Sequence, residues 1–175
     1  MAIRKIKLYG SSILSRPVTP VGELPPDFRQ TLTDMYDTMY DDDGIGLSAN
    51  QVGLDMRFFV ADFSLHDKSL TPQVFINPEI LESSGEIIAE EGCLSLPEIR
   101  AQVPRAQRIR VRYENLDRTV LEEDYQDFAA RVIQHETDHL NGIYFVDRIT
   151  PLARSFLASK LKRLAARARA EEKGS

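Results

Sequence analysis

Phe28, Leu32, Met35 and Met39 fall at the spacing of one apolar helix face. Pro25-Pro26-Asp27 precedes them and suits a helix start, where a proline's missing N–H has no partner to lose. Asp41-Asp42-Asp43 are poorly placed at a helix C-terminus, where negative charge is unfavourable, so this helix ends near Gly44. A second helical period joins Phe128, Val132, His135 and His139. It predicts a helix from about Tyr125 to Asn141, with Gly142 as its stop. Leu157, Leu161, Leu164 and Ala168 predict a closing amphipathic helix.

Between the first two helices the pattern changes to β-type runs. Arg57 to Asp62 and Gln73 to Asn77 read as short strands, with a polar loop over 64–72. His66 stands in that loop beside Asp67 and Lys68 and reads as a solvent-exposed histidine. Ile80 to Ile88 reads as further strand around a turn at Ser83-Ser84-Gly85. Gln107 to Glu114 and Thr119 to Glu123 alternate about Asn115-Leu116-Asp117-Arg118, the pattern of a β-hairpin. Pro97 limits any regular element at Glu90 to Pro97, which puts Cys93 in a tight, glycine-flanked turn or strand edge. Residues 1–23, punctuated by Pro17 and Pro20, read as an extended, irregular entry.

A chain of 175 residues has room for one good core, so 1–175 reads as one domain. No apolar run reaches the length of a membrane span. The N-terminus lacks the apolar core and cleavage site of a signal peptide, and the cytoplasm is the expected location. A net charge of -5 gives no sign of general nucleic-acid binding. The C-terminus reverses that charge. Arg154, Lys160, Lys162, Arg163, Arg167 and Arg169 occur with no acidic residue before Glu171. Residues 152–170 therefore read as a basic helix and 171–175 as a polar tail.

The chemistry concentrates in Gln134-His135-Glu136-Thr137-Asp138-His139-Leu140. On a helix, His135 and His139 are four residues apart and share one face, so both imidazoles can reach one metal ion. Glu136 lies beside them, placed to handle a proton on a water at that ion. A hydrolytic metal site commonly has three protein ligands and one open position. Position 145 is Phe, not a third His; Glu171 and Glu172 lie in the polar tail, and Asp147 is a weaker choice. Cys93, the one cysteine, is the best third ligand by elimination. A thiolate with two imidazoles suits iron, zinc, cobalt or nickel.

Gly44-Ile45-Gly46-Leu47-Ser48-Ala49-Asn50-Gln51 matches the dinucleotide fingerprint superficially. It follows a helix and an acidic run, whereas that fingerprint needs a preceding apolar strand. Its glycines fit a close backbone approach better.

Three segments in order, Gly44 to Gln51, Glu91-Gly92-Cys93-Leu94-Ser95 and Gln134 to Leu140, resemble the signature motifs of the peptide deformylase family. The likeness spans about residues 4 to 150. Ser48 and Asn50 stand where Ala and Thr are more usual, and Tyr9-Gly10-Ser11 lacks a common Pro-Asp pair.

The resemblance implies an α+β fold with antiparallel strands packed around the metal-binding helix. It implies removal of the N-formyl group from formyl-methionine on nascent chains, and an Fe2+ ion that Ni2+, Co2+ or Zn2+ can replace. Cys93, His135 and His139 are the implied ligands, and Glu136 the implied catalytic carboxylate. Gln51 and the Leu94 N–H would stabilise an oxyanion. Gly46 and Gly92 would let the substrate backbone lie close. Ile45, Val132 and Phe128 would wall the methionine pocket, and Arg100 would contact the peptide beyond it. The resemblance also implies ribosome docking through the basic C-terminal helix, and a monomer is expected. The rival expectations are another metallopeptidase with the same His-Glu-x-x-His chemistry, or a non-catalytic module holding a structural metal.

Overall fold

The computed structural model describes residues 2–64 and 66–174. Strand β1 spans Gly46–Ser48, β2 Phe58–Ala61, β3 Gln73–Ser84, β4 Ile87–Cys93, β5 Leu96–Arg105, β6 Arg108–Glu114 and β7 Val120–Gln126. Helix α1 spans Phe28–Asp41, α2 Asp127–Leu140 and α3 Pro151–Lys173. Short 3-10 turns cover Ser12–Ser15, Ala49–Val52 and Phe145–Asp147. The strands form a five-stranded antiparallel sheet in the order β1-β2-β3-β6-β7, and a separate β4–β5 hairpin. The fold is α+β.

Alternation along β2 divides the core. Phe59 and Ala61 point to one face, where they pack with Phe75, Val111 and the α2 residues Ala130, Ile133 and Leu140. Phe58 and Val60 point to the other and meet Phe28, Leu32, Met35 and Met39 of α1. The apolar stripe read from α1 is thus its buried face. Each such side chain contributes on the order of 1.5–3 kcal/mol when fully buried. A third cluster joins Leu96, Ile99 and Val103 of β5 to Tyr144, Phe145 and Leu161, and so seats α3 against the hairpin.

Three expectations are corrected. Gln73 to Asn77 and Ile80 to Ser84 form one strand, β3. Its register against β6 shifts between Ile76 and Glu79, and again between Ile80 and Glu82. The first of these shifts spans and accommodates Pro78, which has no N–H for the ladder. Asn77 adopts φ 50° there, and its side chain bonds both the N–H and the C=O of Val21. The second correction concerns Pro97, which lies inside β5. Because β5 pairs with β4 alone among the described residues, one side of the strand needs no ladder donors, and both Pro97 and Pro104 are tolerated. In the third, residues 171–173 of the expected polar tail continue α3. Glu172 accepts from the Ser12 N–H and hydroxyl at 2.8 and 2.9 Å, and Glu171 pairs with Lys5 at 3.0 Å.

Helix α2 stops where the sequence implies. Gly142 adopts φ +75°, and an added Cβ would lie 2.7 Å from the Arg16 nitrogen. Both observations call for glycine.

Candidate metal centre

Helix α2 presents His135 and His139 one turn apart, with their Nε2 atoms separated by 3.2 Å. Cys93 ends β4, just before the Leu94-Ser95 turn, and its Sγ lies 3.2 Å from His139 Nε2. Around one tetrahedral ion, N···N and S···N separations of about 3.3–3.6 Å follow from the usual bond lengths. The three donor atoms lie within 4.8 Å of one another. They fit one common ion, and a soft thiolate with two imidazoles is a sound donor set for a transition metal.

Glu91 fixes the orientation of the cluster. Its Oε2 lies 3.0 Å from His135 Nδ1, which aims the Nε2 edge at Cys93 and His139. Arg105 binds the same carboxylate bidentately at 2.7 and 3.0 Å, and Arg131 reaches it at 2.6 Å. Arg105 also pairs with Asp138 at 2.7 Å, and Arg148 closes on Asp138 at 2.6 Å. Burial alone would raise the Glu91 pKa, but hydrogen bonds from His135 and Arg105 outweigh it and hold the carboxyl well below its ordinary range. Burial likewise opposes charge on His135, yet its hydrogen bonds to Cys93 and Glu91 raise its pKa. Burial and the neighbouring His135 drive His139 well below the usual value. The downward shift favours the neutral imidazole on His139, which is the form that ligates a metal.

Glu136 is 4% exposed, and its Oε2 has no hydrogen-bond partner among the described residues. Burial pushes its pKa up to about 7, with His135 and Arg105 offsetting part of the shift. Gly46 faces this carboxylate, and a Cβ there would sit 2.6 Å from Glu136 Oε1. The close approach read into Gly46 is thus made by the catalytic candidate's own side chain. Gly92 lies opposite Arg100 in the hairpin, where a Cβ would make only ordinary contacts, the nearest at 3.5 Å.

Gln51 sits in the 3-10 turn after β1. Its Oε1 accepts from the Ser48 N–H and hydroxyl, both at 3.0 Å. The amide nitrogen is thereby turned toward Cys93 Sγ at 3.5 Å and Ser95 Oγ at 3.1 Å. Asn50 Nδ2 donates to the His139 carbonyl at 2.6 Å and ties this turn to α2. Ser48 and Asn50, the two departures from the usual motif, are both hydrogen-bonded within the centre.

A cavity of about 400 Å³ opens above the cluster. Gln51, Cys93, Leu94, His135 and Glu136 line its floor. Ile45, Phe128 and Val132 supply an apolar side, and Gly46, Gly92 and Arg100 also border it. Of the residues read from the sequence, His139 alone is not on the cavity wall; it is 1% exposed, beneath it. Arg105, Arg131 and Ser95 were missed. Arg131 stands four residues before His135 on α2, a local signal that was available. Arg105 comes from a strand that only the fold brings to Glu91.

Residues 3–155 match the family model for polypeptide deformylase. The peptide deformylase of Thermotoga neapolitana is 43% identical over 166 residues, covering 94% of this chain and 98% of that protein. Among solved structures, the peptide deformylase of Thermus thermophilus superposes with a TM-score of 0.86 at 37% identity, covering 95% of this chain and 99% of that one. That of Thermotoga maritima gives 0.80 at 43% identity, over 86% and 100%. A family-model match over residues 3–155 of this chain and relatives this similar over almost their full length mean that the chain belongs to the polypeptide deformylase family.

Proposed function

We propose that this protein removes the formyl group from the N-formylmethionine of newly made polypeptides by hydrolysis, releasing formate and a free amino terminus. The observation that carries the reading is Glu136. It is a buried carboxyl with an unpartnered oxygen, on the floor of an open cavity and next to a Cys-His-His cluster.

Cys93, His135 and His139 would hold one divalent ion, taken as Fe2+ with Ni2+, Co2+ or Zn2+ as substitutes. When bound, the ion supplies Lewis acidity that lowers the pKa of water and offsets negative charge. Glu136 takes a proton from the attacking water as the new C–O bond forms, and passes it to the departing amine nitrogen as the C–N bond breaks. A carboxyl whose pKa lies near 7 suits both directions of transfer. The Gln51 amide and the Leu94 N–H would donate to the developing oxyanion. One such donor contributes about 3–4 kcal/mol in comparable acyl chemistry. Ile45, Val132 and Phe128 would take the methionine side chain. The substrate backbone would run past Gly46 and Gly92, and Arg100 would meet the peptide further on.

The exposed basic residues of α3, Lys160, Lys162, Arg163 and Arg169, support a salt-sensitive contact with ribosomal RNA phosphates. A cytoplasmic monomer is the form this reading takes. Neutralising those four residues should weaken co-sedimentation with ribosomes; unchanged binding would remove the contact.

The test is anaerobic purification, metal analysis and a formate assay on a formyl-Met tripeptide beside its acetyl-Met analogue. Formate from the formyl peptide alone, with about one iron per chain, is expected. Absence of formate from folded, iron-loaded protein would overturn the reading.

A further inference from the structure

The loop between β2 and β3 contacts two residues of the cavity's apolar side, Ile45 and Phe128. At its start, the Asp62 N–H donates to the Ile45 carbonyl at 2.9 Å. Asp62 is itself held by the Tyr40 hydroxyl at 2.8 Å and the Ser64 N–H at 2.9 Å. Phe63 plugs into the core against Phe75 and Tyr125, and its carbonyl accepts the N–H groups of His66 and Asp67, each at 2.9 Å. The loop then sets the His66 ring flat on Phe128, with ring centroids 3.5 Å apart and planes 13° from parallel. Ile45 and Phe128 both line the cavity; His66 does not, and lies behind Phe128.

His66 is therefore more than the solvent-exposed loop histidine read from the sequence. It is exposed as a residue, but one ring face rests on a cavity wall. Phe128 stands in the first turn of α2 and is partly exposed. A stacked ring behind it constrains its side chain.

We propose that His66 is a specificity-determining positioning residue. By stacking on Phe128, in a loop whose other end is bonded to Ile45, it fixes the width of the pocket that takes the first side chain of the substrate. This rests on the deformylase reading of the cavity. With the imidazole removed, Phe128 can swing outward. A slender, unbranched methionine side chain then loses contact, and a bulkier aromatic side chain gains room.

The test compares formate release from formyl-Met and formyl-Phe tripeptides by the wild-type protein, His66→Ala and His66→Phe, each loaded with iron. An aromatic stack of this kind corresponds to roughly a three- to tenfold effect. His66→Ala should lower kcat/KM for the Met peptide by that factor, chiefly through KM, and narrow the preference for Met over Phe. His66→Phe, which keeps a stacked ring, should restore both. An unchanged preference in His66→Ala would overturn the proposal. So would an equal fall in kcat for both peptides, or a His66→Phe variant as impaired as His66→Ala. If the wild-type protein released no formate from either peptide, the functional reading itself would fail, and this assignment with it.

Discussion

Glu91 Oε2 lies 3.0 Å from His135 Nδ1, with two guanidinium groups on the same carboxylate. A buried anion so enclosed leaves stranded cations if it is lost. Glu91→Gln should lower stability at neutral pH by about 3–5 kcal/mol, the range for breaking a buried pair. The folded-state pKa of Glu91 is depressed. Its contribution is thus complete above the ordinary carboxylate value of 4.5 and is lost as pH falls toward the folded value. Thermal melts across the acid range should show a shallower pH dependence in Glu91→Gln than in wild type. Parallel curves would count against the linkage.

Glu136 has the opposite sign. Its folded pKa is raised to about 7 from 4.5, so in the metal-free protein its ionisation opposes folding. Stability should fall as pH rises through that window. Glu136→Gln should remove this slope while retaining metal, and should lower kcat by about 10²–10⁴. Near-normal turnover in a metal-loaded Glu136→Gln would end the proton-transfer role.

Ser48 turns the Gln51 amide by donating its hydroxyl to Oε1 at 3.0 Å. The Ser48 N–H makes a second bond to the same oxygen, so Ser48→Ala should have a modest effect. About 1 kcal/mol is typical for one hydrogen bond, equivalent to a several-fold lower kcat. Gln51→Leu should lower kcat further, and more than it raises KM. If Gln51→Leu changed KM alone, Gln51 would be a binding residue.

Cys93 Sγ lies 3.2 Å from His139 Nε2 and 3.5 Å from the Gln51 amide nitrogen. Cys93→Ser replaces a soft thiolate with a hard hydroxyl and should weaken iron retention. Metal content after dialysis against a chelator would measure it. Wild-type retention would remove Cys93 from the ligand set.

Much of this centre is legible in the sequence because its logic is local. His135, Glu136 and His139 need only helical spacing to gather at or beneath the floor of one cavity, and Val132 and Phe128 extend the same stripe. The helices of Phe28–Asp41 and Asp127–Leu140 and the hairpin of β6 and β7 follow from apolar period and turn residues. Cys93 was reachable by elimination, since one cysteine and few alternative donors remained.

Other features depend on contacts between distant segments, which periodicity does not encode. β3 is one strand because a register shift across Pro78 and the Asn77 side chain accommodate the proline. β5 accepts two prolines because it pairs on one side only. Arg105 becomes a support of the metal centre because β5 runs back beside β4 and under α2, where a buried carboxylate must find cations. His66 reads as a loop histidine until the β2–β3 connection folds it onto Phe128. The groups proposed to react could be read from the chain because their spacing is set within one helix and one short motif. The groups that hold them in place came only with the folded chain, because desolvation and packing act between residues far apart in sequence.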